Sequence, residues 1–294
     1  MALSKQNPTT LNSWLSLDKQ FKVECNDHIS SFFEEKNRLD NFTISWQDFY
    51  LDFSKNRLSS TSLELLIDLC NQTDLKNNIE EYFNGSKINE TEKRSVLHTA
   101  LRSSEIKDQK LKKEVNDTLE KISSISDKIN SGKKTGYTGK KITDVVNIGI
   151  GGSHLGPEMV TEALSYYGLG INPHFVSNID PDFTSKLLEK LNPETTLFII
   201  VSKTFTTIET LENAKKIRKW FIENANIEYI KDHFIAISNN TEAPKEFGIL
   251  PDNVLSIPEW VGGRFSLWGS VGLIISIIIG SKNFKDFLKG AESM

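Results

Sequence analysis

The second half of the chain contains five short apolar segments, and their spacing constrains the fold more than any other feature. They lie at Val145–Ile150, His174–Ser177, Leu197–Ser202, Phe234–Ser238 and, more weakly, Val254–Ile257. All are dense in Val, Ile and Phe without strict alternation, which is typical of strands covered on both faces. Stretches of helical length separate them, so we expect right-handed crossovers and an α/β fold with a doubly wound, five-stranded parallel sheet.

The segments between the strands carry helix signals. The spacing predicts helices over Leu155–Tyr167, Pro181–Leu191 and Thr207–Asn224. Asp180 is the expected N-cap of the second helix, because Pro181 follows it at the first helical position. Thr206 begins a capping-box signature, with Glu209 three residues later, and is the expected N-cap of the third.

Residues 1–140 differ in texture from the rest, being rich in Lys, Asn, Asp, Glu and Ser with apolar residues at helical spacing. An amphipathic stretch between Asp108 and Lys134 is the clearest case. The loop Ser131–Gly136 is a plausible boundary. We therefore predict an N-terminal helical segment over 1–140, an α/β domain over 141–280 and the start of a following segment at 281–294.

Composition excludes several classes of protein. The 294 residues contain 35 Lys and Arg against 39 Asp and Glu, a net charge of −4, which argues against nucleic-acid binding as the main function. Cys25 and Cys70 have neither disulfide nor zinc spacing. The apolar run Leu267–Gly280 is shorter than the roughly 20 residues of a membrane span, so we expect a buried core helix. No signal-peptide pattern opens the chain, and we predict a cytoplasmic protein without membrane contact.

Three loops at the predicted carboxyl ends of strands contain unusual residues, and doubly wound sheets bind ligands there. The first is glycine-rich and runs from Asn147 to Pro157. Its glycines, among them Gly152, let backbone amides approach an anion at a helix N-terminus, and Ser153 adds a hydroxyl. The alternative is a βα turn whose glycines serve only close packing.

The second loop places four hydroxyls and one ammonium group between an apolar strand and a helix. Its residues are Ser202, Lys203, Thr204, Phe205, Thr206 and Thr207. Convergent neutral donors at a helix N-terminus suit the oxygens of a phosphate monoester. The alternative, that these are only cap and turn residues, applies best to Thr206.

The third loop presents Arg264 after two glycines and before a strongly apolar helix. An arginine in that position needs an anionic partner or a route to solvent. A nucleotide-binding loop of the Walker type is excluded, because no Gly-Lys-Ser/Thr follows the glycine loop. A nicotinamide oxidoreductase remains a weak alternative, with Asp180 imitating the ribose-binding acid. It lacks the third glycine of the fingerprint, whose place His154 occupies.

At these loops the sequence strongly resembles the glucose-6-phosphate isomerase (phosphoglucose isomerase) family, in its N-terminal portion containing the first sugar-isomerase (SIS) domain. The matching segments are Ile148–Pro157 (IGIGGSHLGP), Phe175–Asp180 (FVSNID), Val201–Thr210 (VSKTFTTIET) and Val261–Gly272 (VGGRFSLWGSVG), with Leu51–Arg57 and Val96–Arg102 upstream. The resemblance implies a SIS-type, flavodoxin-like domain over 141–280.

The resemblance also implies roles for individual residues. Ser202, Thr204 and Thr207, with the backbone at Lys203, would hold a substrate phosphate, whereas Gly152 and Ser153 would line the sugar pocket. Arg264 would stabilise an enediolate intermediate. The implied reaction interconverts glucose 6-phosphate and fructose 6-phosphate in glycolysis and gluconeogenesis, with no metal or organic cofactor, in a homodimer.

The sequence departs from the family in length. The family's catalytic Glu, ring-opening His and closing Lys lie in a half that would follow residue 294. We therefore expect a fragment of a longer isomerase, which binds substrate but is inactive alone because aldose–ketose isomerisation requires a general base. The alternative is a non-catalytic SIS module that binds or senses a sugar phosphate.

Overall fold

The computed structural model describes residues 6–294 and divides into two compact units, one ending at Ser95 and one beginning at Val96. The N-terminal stretch in which no signal peptide is expected begins with five residues that lie outside the described part. The helices are α1 Asn12–Glu24, α2 Ile29–Phe32, α3 Arg38–Asn41, α4 Ser60–Gln72, α5 Leu75–Phe83, α6 Gln109–Asn130, α7 Leu155–Ala163, α8 Pro181–Leu188, α9 Ile208–Asn224, α10 Ile230–His233, α11 Glu242–Phe247, α12 Leu273–Ile279 and α13 Ser281–Ser293. The strands are β1 Thr43–Trp46, β2 Phe49–Asp52, β3 Asp144–Ile148, β4 Asn172–Val176, β5 Thr196–Val201, β6 Phe234–Ile237 and β7 Val254–Leu255.

The first unit contains α1 to α5 together with an antiparallel hairpin, β1 and β2, where only helices were expected. Its polar anchor is Arg38, which is 3% exposed and donates hydrogen bonds to the carbonyls of Ser54, Asn56 and Leu58. The guanidinium also lies 4.3 Å from the ring centre of Phe42. One arginine thus satisfies three loop carbonyls that would otherwise lose their hydrogen bonds to water.

The second unit contains a five-stranded, all-parallel sheet in the order β4-β3-β5-β6-β7. This is the 2-1-3-4-5 order of flavodoxin-like folds, the fold class that the family resemblance implied. All six residues of β5, the central strand, are buried. Alternate strand residues enter separate cores on the two faces of the sheet, with Leu197 on one side and Phe198 on the other. Because both faces are covered, the strands read as nearly continuous apolar runs.

The helix predictions are confirmed in place and corrected in extent. The helix predicted to reach Tyr167 ends at Ala163, and Ser165–Tyr167 form a 3-10 turn. The helix predicted to reach Leu191 ends at Leu188. The apolar run that begins at Leu267 is α-helical only over Leu273–Ile279. The residues before this helix form two 3-10 turns instead, with Gly269 between them and Gly272 at the end of the second. Short-range periodicity does not distinguish an α-turn from a 3-10 turn.

The compact unit that contains the sheet begins at Val96, well before the boundary predicted at 140. Helix α6 explains the difference, because Val115, Ile122 and Ile129 on its apolar side are buried in the core of the sheet. Helix α13 belongs to the same core through Phe284 and Leu288. Amphipathic spacing shows that α6 has an apolar side but not what covers it.

Two negative findings apply to residues 6–294. In this range none of the helices has the length and apolar character needed to cross a bilayer. The same range contains no cluster of three His, Cys, Asp or Glu side chains arranged to hold a metal ion.

Candidate functional site

The three sequence-predicted loops follow strands of one parallel sheet at its carboxyl edge. Strand order reverses between β3 and β5, since the chain leaves β3 toward β4 on one side and later adds β5 on the other. The crevice at such a switch point is where open α/β sheets bind ligands. The glycine loop follows β3 and the hydroxyl loop follows β5, so the two flank this crevice.

The glycine loop is held by a buried side chain beneath it. Asn147 is completely buried at the end of β3, and its amide donates a 2.9 Å hydrogen bond to the carbonyl of Ser153. Gly149 donates its backbone N–H to Val176 across the sheet. Gly151 has φ +59°, a conformation that favours glycine. The loop is therefore a fixed turn that leads directly into helix α7.

Gly152 brings the glycine loop against the arginine loop. A Cβ atom at Gly152 would lie 2.2 Å from the carbonyl oxygen of Gly263, and one at Gly156 would lie 2.7 Å from the side chain of Leu267. Only glycine permits this backbone approach. Gly152 thus serves close packing, and this packing places the backbone of Arg264 next to the loop that contains Ser153.

The hydroxyl loop has two pairs of hydroxyls with different exposure. Ser202 is 3% exposed, and its Oγ lies 3.1 Å from Oγ1 of Thr207. Thr204 is exposed, and its Oγ1 lies 2.5 Å from Oγ1 of Thr206. Hydroxyls can rotate between partners, so each pair can redirect a proton toward an incoming oxygen.

Thr206 is not the N-cap of α9, and the predicted capping box is wrong. The N-cap is Thr207, whose side chain makes no capping hydrogen bond. By contrast, Asp180 caps α8 as predicted, accepting a hydrogen bond from the backbone of Asp182 at 2.9 Å. The first turn of α9 therefore presents backbone N–H groups that its own N-cap side chain does not satisfy, the arrangement that binds anions.

Residues after β6 brace the hydroxyl loop from outside. The carbonyl of Lys203 accepts hydrogen bonds from Asn239 N–H at 2.9 Å and from Ser238 Oγ at 3.2 Å. Phe205 has φ +56°, uncommon for a bulky residue, and is only 5% exposed. Strain of this kind, about 1–3 kcal/mol, persists where surrounding packing dictates it. The apolar anchor at Phe205 turns Thr204 and Thr206 outward.

Arg264 lies in a 3-10 turn, Gly263–Trp268, and is exposed. Its guanidinium has no ion pair or hydrogen bond with any of residues 6–294. Beside it, Phe265 stacks on His98 with ring centres 3.9 Å apart and planes 8° from parallel. Burial, with a smaller contribution from Arg102, lowers the pKa of His98 to about 4, so the imidazole is neutral near pH 7. The stacking of neutral His98 on Phe265 thus positions the turn that contains Arg264.

The acidic and histidine side chains near Arg264 do not form a catalytic pair. Glu259 is an exposed turn residue. His154 pairs with Glu158 of its own helix at 2.8 Å. Among the described residues, neither Glu259 nor His154 forms an ion pair or hydrogen bond with the guanidinium of Arg264.

The structure brings the predicted residues together at one edge but also shows what sequence reasoning missed. Asn147, Ser238 and Asn239 support the loops, and His98 supports Phe265. Only the polar residue inside an apolar strand, Asn147, is a signal that could have been found. The others act through tertiary contacts with no local pattern.

Comparison with known proteins identifies the family of this chain. Residues 52–294 match the sequence model of the family described as phosphoglucose isomerase. A glucose-6-phosphate isomerase of Christiangramia forsetii is 47% identical over 98% of this chain, which covers 54% of that protein. The chain therefore spans about half the length of this curated relative.

Solved structures show the same fold. A glucose-6-phosphate isomerase from Chlamydia trachomatis superposes with a TM-score of 0.85 at 25% identity, over 98% of this chain and 56% of that one. A hypothetical protein from Thermus thermophilus matches 66% of this chain and 41% of its own, with a TM-score of 0.52 and 26% identity. The family match extends over most of the sequence and includes all three loops of the site, and this chain belongs to the phosphoglucose isomerase family.

Proposed function

We propose that this chain supplies the phosphate-binding loop and the enediolate-stabilising arginine of a glucose-6-phosphate isomerase. The reaction is the reversible interconversion of glucose 6-phosphate and fructose 6-phosphate in glycolysis and gluconeogenesis, carried out in the cytoplasm without metal or organic cofactor. The observation that carries this proposal is that the glycine loop, the hydroxyl loop and the arginine loop all lie at the carboxyl edge of the sheet, around its switch point.

The substrate phosphate binds at the start of α9. Ser202, Thr204 and Thr207 donate hydroxyl hydrogen bonds, and the backbone at Lys203 completes the loop. Neutral donors at a helix N-terminus suit a dianion, because the helix dipole adds about half a positive charge to their hydrogen bonds. Gly152 and Ser153 line the sugar pocket, between the phosphate loop and Arg264.

Arg264 acts at the other end of the sugar. Isomerisation moves a proton between C1 and C2 through an enediol, and negative charge develops on the oxygen as the proton leaves carbon. A guanidinium that has no protein partner in residues 6–294 is available to stabilise that charge. Packing of Gly152 against Gly263 holds the backbone from which this side chain extends toward the sugar pocket.

The base that removes the proton comes from outside these 294 residues, in a longer chain that functions as a homodimer. The chain by itself therefore binds sugar phosphate but has no appreciable turnover. The chain covers 54% of the Christiangramia relative, which supports placing the base in a part of the protein outside these residues.

The test compares fructose 6-phosphate with fructose by titration calorimetry. Ser202→Ala with Thr204→Ala weakens binding of the sugar phosphate by about tenfold for each charged hydrogen bond lost, and leaves the weak binding of fructose unchanged. In an Arg264→Met background the loop substitutions still weaken binding of fructose 6-phosphate and not of fructose, because the guanidinium acts at the reacting carbons and not at the phosphate.

Ser185→Ala is the matched control, since this half-exposed hydroxyl lies on α8, where it donates to the carbonyl of Pro181 and accepts from Lys216. Equal weakening of fructose and fructose 6-phosphate would mean that the loop is not the phosphate site. Turnover of fructose 6-phosphate by the purified chain, free of host enzyme, would contradict the assignment of the base to another part of the protein.

A further inference from the structure

A polar cavity of about 500 Å³ lies at the edge of the sheet opposite the candidate site, at the amino ends of β6 and β7. We name it the lysine cavity. Its cationic members are Lys121, Lys128, Lys133 and Lys134. Two of them come from α6 and two from the loop that precedes β3, so the cavity is assembled by the packing of α6 on the sheet.

Two of these ammonium groups are held away from water. Lys121 is half-buried, and its Nζ donates to the carbonyl of Val254 at 2.9 Å. Burial lowers the pKa of Lys121 despite the opposing influence of Asp252. Burial likewise lowers the pKa of Lys134, although Asp232 acts in the other direction. In both cases desolvation outweighs the nearby carboxylate, so the charged form is under-compensated.

The charges around the cavity do not balance. Asp232 and Asp252 are its only carboxylates, against the four lysines. Within residues 6–294, no Asp or Glu oxygen lies within salt-bridge distance of any of the four ammonium groups. The cavity therefore has an excess of two positive charges. Hydrogen-bonding groups also line it, on Ser124, Thr135 and Asn253.

We propose that the lysine cavity binds a small phosphorylated anion at a site separate from the substrate site. A phosphate monoester carries close to two negative charges at neutral pH, which matches the excess, and a cavity of this volume lies in the range of small-molecule sites. Ser124, Thr135 and Asn253 supply the neutral donors and acceptors that a polar organic substituent requires. The site goes beyond the proposed isomerase activity and does not depend on it.

The test uses inorganic phosphate as the probe and the double variant Ser202→Ala with Thr204→Ala as the background, so that the substrate loop is disabled. Backbone amide signals of the labelled chain are followed by NMR during the titration. We expect saturable shifts at Thr135 and Asn253. Adding Lys121→Met and Lys134→Met raises the dissociation constant for phosphate by about tenfold or more, the loss expected for charged hydrogen bonds.

Lys190→Met is the matched control, because Lys190 is exposed and lies outside the cavity, and it leaves the dissociation constant within about twofold. Methionine preserves the aliphatic length, and unchanged amide signals elsewhere verify folding. Shifts confined to residues 202–207 in the unmodified chain, with none at Thr135 or Asn253, would overturn the proposal. So would equal weakening by Lys190→Met, which would indicate a diffuse charge effect.

Discussion

The two edges of the sheet contain different types of residue. The carboxyl edge uses glycines, hydroxyls and helix starts, with Arg264 as an exposed cation. The amino edge uses four lysines, two aspartates and a completely buried histidine, His233. In the two proposals above, the hydroxyls and the start of α9 bind the anion at the first edge, whereas partly buried lysine ammonium groups bind it at the second. Substitutions should therefore act differently at the two edges.

His233 stabilises the amino edge through hydrogen bonds to two other segments. Its Nε2 accepts the N–H of Tyr137 at 3.0 Å and its Nδ1 lies 2.7 Å from the carbonyl of Thr196. Both bonds form in the neutral ring with the proton on Nδ1. Burial lowers its pKa, as it does for His98 at the carboxyl edge. Each edge thus contains one histidine that folding keeps uncharged.

The largest expected effect is steric. Gly152→Ala pushes a methyl group into the carbonyl of Gly263, and Gly136→Ala pushes one to within 1.8 Å of the carbonyl of Glu194. Both lower the free energy of unfolding by about 3 kcal/mol, the upper part of the range for overpacking, as measured by urea denaturation. Only Gly152→Ala also abolishes binding of fructose 6-phosphate, because it separates the arginine loop from the glycine loop.

Gly263→Ala is the control, since no atom lies within 4 Å of a Cβ there. It leaves binding and stability nearly unchanged. Loss of sugar-phosphate binding in Gly136→Ala to the same degree as in Gly152→Ala would show that the two edges are not independent.

The next effect is on pH dependence. The folded-state pKa of His98 is about 4, against about 6.5 unfolded, and that of His233 is also lowered. The unfolded chain therefore binds more protons, and stability that is present above pH 6.5 is lost as the pH falls toward 4. A full proton taken up on unfolding corresponds to about 1.4 kcal/mol per pH unit.

His98→Phe keeps the stack on Phe265 and removes one titrating group. We expect the slope of unfolding free energy against pH, measured between pH 4 and 6.5, to decrease by up to one proton equivalent. An unchanged slope would mean that His98 is protonated equally in both states.

A smaller pair of effects separates a helix cap from a binding residue. Asp180→Ala removes the capping bond of α8 and lowers the free energy of unfolding by about 1 kcal/mol, with no change in sugar-phosphate binding. Thr207→Val weakens the binding of fructose 6-phosphate by about tenfold with a smaller loss of stability, because Thr207 makes no capping bond. Thermal unfolding and calorimetry measure the two quantities, and the reverse pattern would exchange the two roles.

The smallest effect concerns a charge that is already paired. Lys140, at the amino edge, forms a largely exposed ion pair with Glu194. Lys140→Ala changes the unfolding free energy by less than about 1 kcal/mol, as for most surface pairs, and leaves phosphate binding at the lysine cavity unaffected. A marked loss of phosphate binding in this variant would extend the anion site beyond the cavity.

The sequence by itself determined the sheet and the edge at which the three loops lie. Apolar runs such as Leu197–Ser202 identify strands because a strand covered on both faces needs no polar alternation. Parallel connections then place every loop that follows a strand at one edge, so Gly152, Ser202 and Arg264 could be grouped without coordinates. Asp180 could be assigned as a cap because Pro181 fixes the helix start beside it.

Tertiary structure decided the rest. The approach of Gly152 to Gly263, the left-handed turn at Phe205 and the stack of His98 on Phe265 join residues far apart in sequence or depend on packing around them. The N-cap of α9 at Thr207 and the lysine cavity beside α6 also depend on the tertiary structure. Periodicity reports which side of an element is apolar, whereas the identity of its neighbour depends on the free energy of packing the whole unit, and no local pattern contains that information.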